Sequence, residues 1–305
     1  MTTVAKTLTV PDLAWADYDF GLYINGTDFN DNLFGSAGAD EIHGRAGNDY
    51  LSGGGGDDFL FGEQGNDILS GGAGSDRLDG GSGDDTLYGG AGADMLIGGD
   101  GFDTISYATS SQSVYVNLAT NTGVFGEAQG DTFSGIDKVV GSVNSDGLFA
   151  DDSGVVLDGG AGHDLLVGGA GLDVLIGGTG DDTLEGGLGL DILTGGIGAD
   201  CFVSNWNDGP DIVTDFQHGV DKIVLADGFN NAPLGPFGTD GVLWSGTQLP
   251  TQYPYAGHDM LFYDTDDHQL FQVSHAWNSS YGVELTLLAT FSNGVQLQAG
   301  DFILG

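Results

Sequence analysis

Residues 53–61, GGGGDDFLF, and the nine that follow at 62–70, GEQGNDILS, carry the pattern that decides the fold. The same nine-residue row recurs from Gly35 to Ser106 and again from Gly159 to Val203. In all 13 regular rows, positions 1 and 4 are Gly, position 6 is Asp and position 8 is apolar. A low-complexity glycine tract would not hold four positions in phase, so the pattern predicts a repeat architecture and not a disordered linker.

The row also predicts its own local structure. Positions 7 to 9 are expected to form a short strand whose position 8 points inward while positions 7 and 9 point outward, because side chains alternate along a strand. Positions 1 to 6 are expected to reverse the chain, since glycine accepts positive φ and close backbone approach. Two rows then make one coil, and rows two apart stack about 4.8 Å from each other as a parallel β-roll.

The rows look too poor in apolar residues to fold without help. Burial of one leucine is worth about 1.5–3 kcal/mol, whereas ordering the backbone costs roughly 1–2 kcal/mol for each residue. Stacked carboxylates also repel one another. Carboxylates and glycine carbonyls form an oxygen-only site that suits calcium, whereas magnesium demands a tighter octahedron and zinc prefers Cys and His. We therefore expect calcium to bind between stacked turns, and folding to be coupled to that binding.

The rows resemble the G-G-x-G-x-D-x-U-x nonapeptides of the RTX (repeats-in-toxin) family, calcium-binding proteins exported by Gram-negative type I secretion. The resemblance implies that the position-6 aspartates are calcium ligands and that glycine carbonyls complete the sites. The implied metal ligands are Asp31, Asp40, Asp49, Asp58, Asp67, Asp76, Asp85, Asp94, Asp103, Asp164, Asp173, Asp182, Asp191 and Asp200. Asp31 belongs to a weaker row at 26–34, and Ser36, Arg45 and Glu63 replace glycine at position 2. Since each ion needs two stacked turns, we expect about six or seven ions in the first block and about three or four in the second.

The resemblance extends beyond the rows. Residues 107–150 resemble the spacer between two RTX blocks, and residues 208–225, DGPDIVTDFQHGVDKIVL, resemble the end of a serralysin-type array. Residues 301–305, DFILG, resemble the end of an uncleaved type I secretion signal. The expected fold is all-β, with two calcium-bound parallel β-rolls joined by a spacer and a strand-rich C-terminal cap. The expected parts are an N-terminal cap at 1–25, a first roll at 26–106, the spacer at 107–150, a second roll at 151–203, and a C-terminal cap and secretion region at 204–305.

The net charge and the hydropathy of the chain exclude some classes of binding partner. The formal net charge is −40 with only five basic side chains, which argues against nucleic acid, because phosphate binding needs clustered Lys and Arg. No stretch approaches 18 apolar residues, so no transmembrane segment is expected. Residues 1–20 lack the apolar run of a cleaved secretory signal. We expect a secreted, extracellular protein that uses a type I exporter and binds calcium, with an extracellular glycan or protein as a further candidate partner.

The sequence shows no catalytic set. None of the six histidines lies in H-E-x-x-H, the zinc site of serralysin-type proteases. Residues 263–271, YDTDDHQLF, lack the Gly of an EF-hand loop and are expected to turn a hairpin between 260–263 and 269–273. We expect a non-enzymatic structural, matrix or interaction protein. The alternatives are a remnant or accessory form of a serralysin-like hydrolase without its catalytic domain, and a small membrane- or host-interacting effector of the nodulation type.

Two outer faces are expected to be apolar, because outward positions of alternate rows fall on the same sheet. One carries Phe59, Phe61, Met95 and Ile97, and the other carries Leu165, Val167, Cys201 and Val203. We expect residues 107–150 or the C-terminal region to cover these faces; the alternative is a partner surface.

Overall fold

The computed structural model describes residues 7–8, 21–205, 208–225, 243–246, 260–264, 267–275, 283–295, 297 and 301–304. The chain divides into two compact units, one of residues 1–149 and 155–160 and the other of residues 150–154 and 161–305. Both units are built from strands, and a 3-10 turn lies at Gly126–Ala128. The all-β prediction is therefore confirmed. In the described ranges no helix has the length and hydropathy needed to span a membrane.

The first unit is a parallel β-roll with three sheets. Its strands are β1 Thr7–Leu8, β2 Tyr23–Asn25, β3 Asn32–Phe34, β4 Glu41–Ala46, β5 Tyr50–Gly55, β6 Phe59–Gln64, β7 Ile68–Ala73, β8 Arg77–Ser82, β9 Thr86–Ala91, β10 Met95–Asp100, β11 Thr104–Ser106, β12 Tyr115–Asn117, β13 Thr122–Val124, β14 Thr132–Ser134, β15 Lys138–Val140, β16 Gly147–Phe149 and β17 Val156–Ala161. One sheet has the order β1-β3-β5-β7-β9-β11-β15-β17, the second β14-β10-β8-β6-β4-β2, and the third β13-β12-β16. Alternate rows thus fall on opposite sheets, as the repeat predicts.

The register places one row above the next but one. Leu51 pairs with Leu69, and Leu69 pairs with Leu87. These leucines are fully buried, as are Leu60 and Leu78 on the opposite sheet. The prediction that position 8 forms an inner apolar column is confirmed.

The strands are longer than the sequence predicts. Strand β5 continues through positions 1 to 3 of the next row, and Gly54 at position 2 pairs with Gly72. A Cβ at Gly72 would lie only 2.2 Å from the carbonyl oxygen of Gly54, and φ at Gly72 is 114°. The reading of positions 1 to 3 as turn only was wrong, because positive φ at position 2 bends the chain while the ladder continues. Arg45 and Glu63 adopt the same region, with φ of 80° and 74°.

The segment at 107–150 also builds strands onto the roll of the first unit. Strand β14 pairs with β10, and strand β15 pairs with β11 and β17, all in parallel. Strand β12 pairs with β16 in parallel and with β13 in an antiparallel ladder. The inward side chains of these four strands, Val116 in β12, Phe133 in β14, Val139 in β15 and Leu148 in β16, are buried. The stacking of coils therefore continues through this segment, although its sequence lacks the regular nine-residue pattern.

The second unit repeats the roll and ends in a strand-rich region. Its strands are β18 Leu165–Val167, β19 Val174–Thr179, β20 Thr183–Glu185, β21 Ile192–Ile197, β22 Cys201–Ser204, β23 Asp211–Val213, β24 Lys222–Leu225, β25 Leu243–Gly246, β26 Met260–Asp264, β27 Gln269–His275, β28 Val283–Phe291 and β29 Phe302–Leu304. Within this unit the sheets have the orders β19-β21-β23-β28-β27-β26-β25 and β18-β20-β22-β24-β29. Strands β26 and β27 are antiparallel neighbours, which confirms the predicted hairpin.

The outer face of the β14–β2 sheet is open. Phe59 and Met95 are 49% and 47% exposed, and Tyr23 at the sheet edge is 65% exposed. The expectation that other segments cover this face was wrong for Phe59 and Met95. His43 stacks on Phe61 with a centroid distance of 4.8 Å. On the corresponding face of the second unit, Leu165 is exposed and Cys201 is half-buried.

Candidate metal centres

All fourteen aspartates predicted as ligands lie inside the turns. Their relative exposure is between 0% and 3%. Position 6 ends each turn, immediately before the strand whose position 8 is anchored in the core, so the side chain is fixed beside the glycine backbone. Burial of so many carboxylates is rare unless each is paired or bound to a metal.

The carboxylates are stacked in columns by a repeated hydrogen bond. The backbone N–H of Asp49 donates to Asp67 Oδ1 at 2.7 Å, and the N–H of Asp67 donates to Asp85 Oδ1 at 2.7 Å. In the first unit this bond links column 1, Asp40–Asp58–Asp76–Asp94–Asp131, and column 2, Asp31–Asp49–Asp67–Asp85–Asp103–Asp137. In the second unit it links column 3, Asp164–Asp182–Asp200–Asp221, and column 4, Asp173–Asp191–Asp211.

Sequence reasoning missed several members of these turns. Asp131 and Asp137 end columns 1 and 2, and Asp211 and Asp221 end columns 4 and 3. Asp146 is buried and accepts a hydrogen bond from the N–H of Val114 at 2.7 Å. Each lacks the glycines of a full row. The signal that survives in all five is an Asp, one free residue and an apolar residue, as in Asp-Thr-Phe at 131–133.

Aspartates in the interior of the columns differ from ordinary buried aspartates in their second carboxylate oxygen, Oδ2, which has no hydrogen-bond donor. Oδ2 is buried and accepts no hydrogen bond in Asp49, Asp58, Asp67, Asp76, Asp85, Asp94, Asp103, Asp182 and Asp200. A buried charged oxygen without a partner costs more than a lost neutral hydrogen bond. These orphaned oxygens fit a bound cation, which would provide the missing partner.

Oxygen atoms converge where position 1 lacks a side chain. A Cβ at Gly71 would lie 2.3 Å from Asp76 Oδ2 and 2.6 Å from the carbonyl oxygen of Gly89. A Cβ at Gly62 would meet Asp67 Oδ2 and the Gly80 carbonyl at 2.4 and 2.5 Å. Across the described ranges, no three His, Cys, Asp or Glu side chains converge as a metal-binding group. The donor set is therefore carboxylate plus carbonyl, the oxygen chemistry that calcium prefers.

Burial raises the pKa of the column carboxyl groups, because it disfavours their charged form. It raises the pKa to about 6 for Asp49, Asp58, Asp76, Asp94 and Asp200, and to about 7 for Asp85. The charges of stacked neighbours raise these pKa values further, against the hydrogen bonds from backbone N–H groups. The strongest effect is at the end of column 4, where burial and then the Asp191 charge raise the pKa of Asp211 to about 8. A cation in the turns would reverse this trend.

These same segments match a known family of repeats. The model of the RTX calcium-binding nonapeptide repeat matches residues 25–60, 47–78, 70–105, 140–175 and 168–200. The chain contains RTX calcium-binding nonapeptide repeats. Its rows are calcium-binding motifs. The match at 140–175 begins inside the segment at 107–150 that was predicted as a spacer. This confirms the resemblance and the parallel β-roll.

Other comparisons add little about this RTX protein. No curated protein matches it. Among solved structures, the extracellular lipase LipA from Serratia marcescens is similar, with 18% sequence identity and a TM-score of 0.18. The match covers 96% of this chain and 42% of the lipase chain, so the RTX protein spans less than half the length of that lipase. At this TM-score the likeness carries no argument about activity.

Proposed function

We propose that this RTX protein is a non-enzymatic extracellular calcium-binding protein whose rolls fold when calcium binds outside the cell. The observation that carries the proposal is the set of buried Oδ2 atoms without a partner in the column interiors. Bound calcium would supply the positive charge that balances these carboxylates. Extracellular modules typically bind calcium with dissociation constants of about 10⁻⁴–10⁻³ M, which matches the concentration outside cells and not inside.

The residues of the chain prepare each site in three ways. The backbone N–H two rows away holds Oδ1 and fixes the plane of the carboxylate, as Asp58 N–H does for Asp76 at 2.8 Å. Glycine at position 1 leaves room beside Oδ2. Stacking of the rows brings the next carbonyl to the same space. Such orientation lowers the entropy cost of binding, because the ligands are already in place once the rows are stacked.

The first test is selective calcium binding with a matched pair of glycine variants. Gly71→Ala should lose at least one bound calcium ion, because its Cβ would lie 2.3 Å from Asp76 Oδ2. Gly55→Ala should keep the wild-type number, because its Cβ meets nothing nearer than 3.8 Å. Bound metal is measured after equilibrium dialysis against about 1 mM calcium, with equimolar magnesium as the selectivity control. Equal loss in both variants, or a wild-type protein that binds no calcium, would refute the proposal.

A structural role is supported by where the perturbed carboxyl groups lie. In the described part of the chain, every carboxyl whose pKa is raised belongs to the columns or to the Asp146 turn. Perturbed groups in a catalytic site would instead be expected to gather in a cleft. An interaction role with an extracellular glycan or protein is supported by the open face that carries Tyr23, Phe59 and Met95.

Export is the remaining part of the proposal, and RTX membership supports it. In a cell with a type I exporter, the wild-type protein should reach the medium. Deletion of residues 246–305 should retain the protein in the cell, because the secretion region is expected there, whereas deletion of residues 1–20 should not. Immunoblots of cells and medium measure both. Efficient secretion of the C-terminal deletion, or retention of the N-terminal one, would contradict this route.

A further inference from the structure

The carboxylates at the ends of the columns differ from those in the interior. Interior Oδ2 atoms accept no hydrogen bond, whereas Oδ2 at most column ends already has a protein donor. The capped carboxylates are Asp31, Asp40, Asp131, Asp173 and Asp221, and the Asp146 turn has the same arrangement. Five of the eight column ends therefore have a donor to Oδ2 that the interior turns lack.

At the start of columns 1 and 2 the donors come from position 2 of the same turn. Thr27 donates to Asp31 Oδ2 from its N–H at 2.6 Å and from its hydroxyl at 2.8 Å. Ser36 donates to Asp40 Oδ2 from its N–H at 2.5 Å and from its hydroxyl at 3.1 Å. Oδ2 of each of these two end carboxylates therefore receives two donors, whereas Oδ2 of an interior carboxylate receives none.

At the three other capped ends the donors are one hydroxyl and two backbone N–H groups. At the far end of column 1, the buried Tyr107 hydroxyl donates to Asp131 Oδ2 at 2.7 Å. In the second unit, the N–H of Gly169 donates to Asp173 Oδ2 at 2.8 Å, and the N–H of Gln217 donates to Asp221 Oδ2 at 2.6 Å.

The backbone of the end turns is also distinct. Interior position-2 residues have positive φ, as at Gly54, Gly72 and even Arg45. Ser36 and Gly169 do not. Because Gly169 is a glycine and still adopts the capped form, the conformation does not follow the residue type alone. The capped turns of Asp31, Asp40, Asp173 and Asp221 therefore form a second structural class, in which the N–H at position 2 points at the carboxylate.

We propose that these donors are built-in end caps that stand in for calcium, so that the calcium load is confined to the interior turns of each column. The inference rests on the proposed calcium-binding function. An N–H or O–H aimed at Oδ2 satisfies a buried carboxylate without an ion, and it places partial positive charge on the side from which a cation would approach. Where a cap is present, the column ends without an incomplete metal site at its last turn.

The test compares end and interior carboxylates of the same column. Asp40→Asn and Asp131→Asn should keep the wild-type number of bound calcium ions, because the amide oxygen accepts the cap's hydrogen bond at Oδ2 and only the N–H bond to Oδ1, where no ion is expected, is lost. Asp58→Asn and Asp94→Asn, the next members of column 1, should each lose at least one ion. Bound metal is counted after dialysis against saturating calcium, and circular dichroism checks that each variant is folded.

A second measurement guards against an interior variant that fails to fold. Anomalous diffraction from crystals of the calcium-loaded wild-type protein should locate ions only at interior turns. An ion in contact with Asp40 Oδ2 or Asp131 Oδ2, or equal loss of calcium from Asp40→Asn and Asp58→Asn, would overturn the end-cap proposal. A wild-type protein that binds no calcium would instead overturn the proposed function.

Discussion

Removal of calcium should convert the protein from a β-rich fold to a largely disordered chain. Each row buries one inward side chain such as Leu69, worth about 1.5–3 kcal/mol, and orders nine residues at roughly 1–2 kcal/mol each. Without a cation, the buried Oδ2 atoms of the column interiors also remain without a partner. Metal binding and folding should therefore be one transition.

Circular dichroism during titration with calcium and then with EDTA measures this transition. The β signal should appear at about millimolar calcium and disappear with chelator, while magnesium at the same concentration should have little effect. A folded spectrum that persists in EDTA, in protein that metal analysis shows to be free of calcium, would refute the coupling.

Acid should affect the metal-free and the calcium-bound protein in opposite directions. Burial raises the pKa of Asp49, Asp58 and Asp76 from 3.8 to about 6 in the folded state. A carboxyl whose folded pKa is raised binds protons more tightly when folded. The metal-free fold is therefore favoured below the unfolded pKa and loses that stability as pH rises through about 6. Lowering the pH from about 7.5 to about 5 should increase the β content of the metal-free protein.

Calcium binding should respond with the opposite sign, because protons compete for the same oxygens. A carboxyl with a pKa near 6 is about nine-tenths protonated at pH 5, so the apparent calcium affinity should fall at least about tenfold between pH 7.5 and pH 5. Isothermal titration at the two pH values measures the affinity, and dichroism measures the fold. A calcium affinity that stays constant over this range would show that the turn carboxylates are not the ligands.

The roll itself could be predicted from the sequence because its determinants are local and repeated. Leu51 and Leu69 recur at the same phase, and so do Asp49 and Asp67, so alternation along a strand and stacking of turns define the inner column and the register. The two-row coil needs no information from distant residues. For the same reason the predicted aspartates all lie in buried turns.

The parts that sequence reasoning missed depend on tertiary context. Asp131 and Asp137 lie outside any regular row, and only the pairing of β14 with β10 and of β15 with β11 places them at the column ends. Ser36 is visible as a departure from glycine, but its donation to Asp40 follows from its place at the start of a column. No local propensity distinguishes Gly169, which caps its turn, from Gly72, which does not.

The stacking of each row on the next but one restricts how such a roll can change length. On the open sheet of the first unit, Tyr23 pairs with Glu41, Glu41 with Phe59, and Phe59 with Arg77. Loss or duplication of a single nine-residue row would transfer every later row to the opposite side, and would join the carboxylates of one column to those of the other. Loss or duplication of two rows would leave both surfaces and both columns intact. A change in length by eighteen residues therefore preserves the arrangement of the roll, whereas an odd number of rows exchanges its two faces.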